Sequence, residues 1–339
     1  MTVIHKLYES GDFSGVVADP EAEERFDGES NFGCYADVLD SFGLWTPQVT
    51  EGLYLPFLAV VMAEAARLGI RGSLADLSKD KRINPWPESQ TTGDCVSHWC
   101  RNACDVARAC DQYVDGDFET WVSRTATEPI YGHRGHRGAG ANCSRLLSYV
   151  RNEGGMMLRK KYDIEGYGEL DLSEYKASIG MGWGGSGVPK AVREEGQKHQ
   201  VLDATRVKTR EELRQAYRNG HCVGGCSSIA FSRKRNEDGV SKVTGSWAHA
   251  MLGIGFDERD VTIKKYGEPL VLEINSWGKW NSGGRKILNS DIYIPHGSCW
   301  VKESDYVRRK IKPGSCFVVT STVGWKPVKL IDLGHSAFG

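Results

Sequence analysis

Val96, Trp99, Cys100, Ala103, Val106, Ala107 and Cys110 fall at i, i+3, i+4, i+7, i+10, i+11 and i+14. That spacing forms one apolar stripe at helical period and predicts a long amphipathic helix. Upstream, LYLPFLAVVMAEAARLGI (53–70) is the most apolar window. Pro56, Glu64 and Arg67 interrupt it, so its unbroken apolar part falls short of a membrane span of about 20 residues. It reads as a buried helix. Between the two, SKDKRINPWPES (78–89) is charged, holds two prolines and shows no period, so it reads as a linker.

Gly-rich stretches follow the long helix: YGHRGHRGAGANC (131–143) and MGWGGSG (181–187), each leading into a short helical pattern. In VPKAVREEG, a proline stands near the first turn and Gly196 at the stop. In TREELRQAYRNG, Thr209 and Glu212 form a capping box and Gly220 ends the helix. After Gly220 the texture changes. CSSIAF, HAMLGIGF, PLVLEINSW, SDIYIP and SCFVVTSTVGW are rich in β-branched and aromatic residues and read as strands. A helical half therefore precedes a strand-rich half, which predicts an α+β protein of two packed halves.

Composition adds exclusions. The 339 residues suffice for about two domains, or one with an extension. The formal net charge is −1, so nothing global draws the chain to nucleic acid or to an anionic membrane. The densest basic run, Arg308-Arg309-Lys310 with Lys312, reads as a solvated face. The start, MTVIHKLYESGDFSG, lacks the apolar core of a secretory signal. Ten cysteines are too few for a disulfide scaffold in a chain this long, so reduced thiols are expected.

Cys95 precedes the first stripe position, which puts it at the helix amino terminus. Unpaired N–H groups and the helix dipole there favour an anion and lower a thiol's pKa. By itself this could equally be a packed core thiol. Two other segments change that. His249 opens the apolar, Gly-punctuated HAMLGIGFD, and Asn275 ends the apolar run of VLEINSWGKW. Cys, His and Asn make a set of nucleophile, base and orienter.

The order and texture of these segments resemble papain-like cysteine peptidases over about residues 86–323, most specifically in HAMLGIGFD and INSWG. Cys95 and His249 lie 154 apart (249 − 95), near the roughly 130–150 such enzymes show. His249 and Asn275 are 26 apart (275 − 249), with DERDVTIKKYGEP expected as a strand-turn-strand excursion between them. The resemblance implies a papain-like two-lobed fold. A helical lobe carries the nucleophile helix, and a β-barrel lobe carries His249 and Asn275 across a cleft.

It further implies Cys95 as nucleophile, His249 as general base and acid, and Asn275 as orienter, needing no cofactor and no metal. Gln90, five residues before the cysteine where the family has six, is the expected oxyanion donor. Trp277 is expected to shield the His249–Asn275 bond, while Trp280 reads as packing. Gly138-Ala139-Gly140 is expected to bind the substrate backbone, with Gly184-Gly185 as its rival. Ala248 and Ala250 would line the main specificity pocket. Two further departures stand out: Val96 occupies the family's aromatic position, and Asp94 occupies the small-residue position before the nucleophile. Asp94 would oppose a thiolate unless it caps the helix or turns to solvent.

The expected organisation is residues 1–85 as a docking or pro-segment-like extension, 86–325 as the peptidase domain and 326–339 as a tail. The partners implied are a peptide or protein substrate and an assembly partner for residues 1–85, in a cytoplasmic or virion-associated setting, with no nucleic acid and no membrane. Two other readings stay open. One is a catalytically impaired papain-like domain serving as a structural or binding component of a viral or phage particle; the other is acyl transfer to an amine. Cys100 with Cys104, Cys222 with Cys226, and the nearby His98 and His221 could be written as a zinc site, but no Cys-x-x-Cys pair supports it.

Overall fold

A computed structural model describes residues 48–115, 123–281 and 284–322 of the chain. Its elements, in order, begin with β1 (Gln48–Thr50), β2 (Leu53–Tyr54), α1 (Phe57–Arg67), α2 (Leu74–Lys79), α3 (Cys95–Asp115), α4 (Glu128–Gly132) and α5 (Cys143–Ser148). There follow β3 (Lys161–Ile164), β4 (Gly168–Asp171), α6 (Ala177–Trp183), α7 (Lys190–Gly196), β5 (Val201–Arg206) and α8 (Arg210–Arg218). The last are β6 (Val223–Arg235), β7 (Ser241–Asp257), α9 (Asp260–Tyr266), β8 (Leu270–Ile274), β9 (Ser298–Lys302), α10 (Glu303–Tyr306) and β10 (Phe317–Thr322).

The expected α+β division holds. Helices dominate before β5, and an antiparallel eight-stranded sheet dominates after it, in the order β1-β2-β7-β6-β10-β5 with β8 and β9 branching from β7. The stripe of α3 is buried as its spacing predicts, at Val96, Trp99, Cys100, Ala103, Val106 and Ala107, and the helix packs on β7 and β10. At Gly224 of β6, an added Cβ would lie 2.5 Å from Trp99 Nε1, so only glycine lets the strand come this close to the helix.

The opposite face of α3 is not solvated, as an amphipathic helix alone would suggest. Arg101 and Arg108 are also buried. Arg101 is paired with Glu88, which Arg124 (3.3 Å) and Arg159 (2.9 Å) also reach. Arg159 in turn holds Glu128 at 2.7 Å. The expected linker is thereby drawn into the core: Ile83 and Trp86 are buried, and Glu88 joins the ion network. Burial would raise Glu88, but the guanidinium groups of Arg101, Arg124 and Arg159 outweigh it and hold this carboxyl well below the usual range.

The expected division at residue 85 is crossed by packing. β2 pairs with β7, with Leu53 opposite Asp257, and α1 lies against α3. Residues 1–47 and 323–339 lie outside the described residues, and with them most of the expected amino-terminal extension and the 326–339 tail.

Four local expectations need correction. DERDVTIKKYGEP forms helix α9, closed by Gly267 in the left-handed region (φ 81°); Asp260 in the first turn and Lys264 and Lys265 in the last suit the helix dipole. SDIYIP forms no strand beyond a single bridge of Lys286 to Tyr293. The basic run is not solvated, since Arg309 and Lys310 are fully buried. A short turn, Val307–Ile311, tucks against β6 and delivers both side chains to Glu273 on β8. Finally, the thiols are not all reduced. Cys143, opening α5, is disulfide-bonded to Cys226 on β6, with a Cα–Cα distance of 6.2 Å. The bond joins the helical half to the sheet.

Candidate active site

The site forms where the amino terminus of α3 meets β7 and the end of β8. Backbone hydrogen bonds start the helix at Cys95: Ser97 N and His98 N both donate to Asp94 O, at 3.0 and 3.2 Å. Cys95 is 1 % exposed. Burial pushes its thiol up to about 12, eased by the Ala250 N–H and raised further by the Asp94 carboxylate. The contact with Ala250 places the sulfur beside the residue that follows His249.

His249 lies on β7 and Asn275 directly after the end of β8. Leu252 pairs with Ile274, so the register of β7 and β8 brings the two side chains together. His249 Nε2 lies 2.9 Å from Asn275 Oδ1. This contact uses Nε2 and leaves Nδ1 as the nitrogen that can serve a thiol. Burial pushes His249 down to about 3; the Asn275 hydrogen bond and Glu273 raise it, and Lys310 and Arg309 lower it.

Trp277 stacks on the imidazole at 4.4 Å with planes inclined by 26°. Trp247 meets the ring edge-on at 5.1 Å, and Trp280 packs on both indoles. Trp247 belongs to no recognisable motif. Its place two residues before His249, on the same face of a strand, is the one sequence signal that marks it. Trp280 is buried in this aromatic wall, as packing requires.

Gln90 is buried beside the same loop. Its N–H donates to Ser276 O at 2.8 Å, its side-chain oxygen accepts from Ser276 Oγ, and its side-chain nitrogen donates to Thr92 O at 2.8 Å. Gly140 N donates to Gly93 O at 3.0 Å, which brings the Gly138-Ala139-Gly140 strip against the segment preceding Cys95. Gly140 has φ +89° and is buried, whereas Gly138 and Ala139 are exposed. The rival pair is less open: an added Cβ on Gly184 would strike the Arg134 guanidinium, and one on Gly185 would strike the Arg137 stem. Ala248 is half-buried and Ala250 buried.

Asp94 neither caps the helix nor turns to solvent. It is 1 % exposed and accepts the Tyr175 hydroxyl at 2.7 Å, while Tyr175 accepts the Thr91 N–H at 3.2 Å. The disulfide borders the site as well, because Cys226 is the sheet partner of Ala250. Among the described residues, no group of three or more His, Cys, Asp or Glu could hold a metal ion, and no helix is long and apolar enough to cross a membrane.

No protein-family model matches the chain, and no curated protein matches it. Solved structures do resemble it. Xylellain, a cysteine protease from Xylella fastidiosa, is 14 % identical with a TM-score of 0.43, over 70 % of this chain and 82 % of that one. Digestive procathepsin L 3 of the Tenebrio molitor larval midgut is 12 % identical with a TM-score of 0.37, over 94 % and 99 %. The proform of the ragweed pollen allergen Amb a 11, a cysteine protease, is 12 % identical with a TM-score of 0.38, over 70 % and 61 %.

Proposed function

We propose that the chain is a papain-like cysteine peptidase that hydrolyses peptide or isopeptide bonds through a thioester. The observation that carries this reading is the buried 2.9 Å contact between His249 Nε2 and Asn275 Oδ1, with Cys95 seated against the neighbouring Ala250 N–H. Cys95 Sγ attacks the carbonyl carbon as its proton passes to His249 Nδ1. Asn275 holds the ring in the tautomer that allows this. The Cys95 N–H and the second side-chain N–H of Gln90 stabilise the oxyanion. His249 then protonates the departing amine, and water attacks the thioester with His249 as base. The exposed Gly138-Ala139 backbone would hold the substrate chain, and Ala248 and Ala250 would shape the pocket for one of its side chains.

One observation favours a second reading, a papain-like domain retained for assembly in a particle. A buried carboxylate, Asp94, stands directly before a deeply buried thiol. A peptidyl epoxide at about pH 8 separates the two, because a thiolate is the form that attacks it. Labelling of Cys95 that is lost in His249→Ala supports the peptidase. Absent or indiscriminate labelling across the free cysteines supports the assembly role.

A further inference from the structure

The proposed reaction moves a proton from Cys95 to His249, and buried charges lie on both sides of that path. Beside the thiol is Asp94. One of its oxygens takes the Tyr175 hydroxyl and lies 3.5 Å from His98 Nε2; the other has no hydrogen-bond partner among the described residues. Behind the imidazole is the Glu273–Arg309–Lys310 cluster. Arg309 Nη1 lies 2.9 Å from Glu273 Oε2 and Lys310 Nζ 2.5 Å from Oε1, and the charged ends are 0 % exposed.

Strand alternation places this cluster under the candidate pair. Glu273 on β8 lies two residues before Asn275, which follows the end of that strand, and Met251 shares a face of β7 with His249. Lys310 Nζ also donates to Met251 O at 2.5 Å. Burial pushes Arg309 and Lys310 down and Glu273 pushes both back up; with both protonated, two cations on one carboxylate leave a net positive charge in the core.

The other groups facing the pair do not cancel this. On β6 the residue opposite His249 is Ser227. Arg101, one turn beyond His98, is engaged by Glu88. Tyr131 and Arg134 approach Asp94 from α4 and the residues after it; Arg134 remains a cation there, but its Nη1 is turned to the carbonyls of Tyr131 and Gly180 and it forms no direct ion pair with Asp94. A carboxylate thus stands beside the atom that would become negative. A net cation stands behind the ring that would become positive. Each arrangement disfavours charge separation, and low polarity strengthens it.

Resting on the peptidase reading, we propose that Asp94 and the Glu273–Arg309–Lys310 cluster are positioning residues that keep the resting Cys95–His249 couple as neutral thiol and neutral imidazole. The S–H bond then breaks only as attack proceeds. Its electron pair forms the sulfur–carbon bond, its proton bonds to His249 Nδ1, and the carbonyl π pair moves onto oxygen. The raised thiol of Cys95 and the lowered imidazole of His249 point the same way.

The test is the rate of Cys95 alkylation by iodoacetamide in the native full-length chain, from about pH 5 to about pH 10, with the adduct mapped by mass spectrometry. The wild type should show no acid plateau and a half-maximal rate above about pH 8. Asp94→Asn and Lys310→Met should each move the profile to lower pH. A profile that moves down by about one pH unit raises the rate at about pH 6 roughly tenfold. A purely structural role would instead lower the rate at every pH without moving the profile.

A rate already maximal by about pH 6, and lost in His249→Ala, would overturn this inference while leaving the peptidase reading intact. So would superimposable profiles for the wild type and Asp94→Asn. Cys95 inert throughout would sink both readings, since a couple able to transfer its proton must yield thiolate in alkali. Asp94→Asn keeps the shape of the side chain and its bond to Tyr175, so it decides the matter even if Lys310→Met fails to fold.

Discussion

The indole of Trp277 lies over the imidazole of His249, with ring centroids 4.4 Å apart. It covers the ring whose Nε2 contacts Asn275 Oδ1. Water reaching that contact would compete for both partners and loosen the ring. Trp277→Phe should keep the stack and lower kcat/KM by about tenfold or less, roughly the worth of one hydrogen bond. Trp277→Ala should lose considerably more activity and about 3–5 kcal/mol of stability, as expected when a large buried aromatic is removed. Steady-state kinetics with urea unfolding of both variants checks the split. Equal activity in the two would remove the shielding role.

The Cys143–Cys226 bond closes a loop across a sequence separation of 83 and ties α5 to β6 next to Ala250. Constraining an unfolded chain over that length is worth about 4.5 kcal/mol. Cys226→Ser should lower the urea midpoint accordingly, and reducing the wild type should reproduce the loss. Coincident midpoints in oxidised and reduced protein would show that the bond does not contribute.

Acid should weaken the fold through the buried His249 and the half-buried His221. His249 is pushed down from 6.5 to about 3 and His221 to about 4, in both cases first by burial. Between these values and 6.5 the unfolded chain binds protons that the folded chain refuses. Stability from this source is therefore complete above about pH 6.5 and falls as pH drops, by up to about 1.4 kcal/mol per pH unit for each histidine. It stops falling once the folded value is passed. Urea midpoints at about pH 7 and about pH 5 should differ less in His249→Gln than in the wild type. An unchanged difference in both His249→Gln and His221→Gln would contradict the assignment.

Glu88 meets Arg101, Arg124 and Arg159 in a partly buried network. Glu88→Gln leaves these guanidinium groups without that carboxylate, at a cost of about 3–5 kcal/mol. Glu88→Gln combined with Arg101→Met should recover part of the loss if the pair is coupled. A double-mutant cycle on chemical unfolding measures this, and strict additivity would argue against coupling.

Local pattern carried a good deal of this protein. The stripe from Val96 to Ala107, the capping box at Thr209 and Glu212, and the strand character around HAMLGIGF follow from residue type and spacing, and all three appear in the fold. The order of Cys95, His249 and Asn275 is also legible, because each lies beside an element whose period is plain. What surrounds them is not. Asp94 cannot be placed from sequence, because its burial depends on Tyr175, 81 residues away. Arg309 and Lys310 read as a solvated run, yet Glu273, 36 residues before Arg309, draws them inside. Cys226 meets Cys143 because α5 packs on α3, which in turn lies against β6 and β7. Periodicity reports which face of an element is apolar. Which distant charge or thiol lies against that element depends on strand register and helix packing across the whole chain.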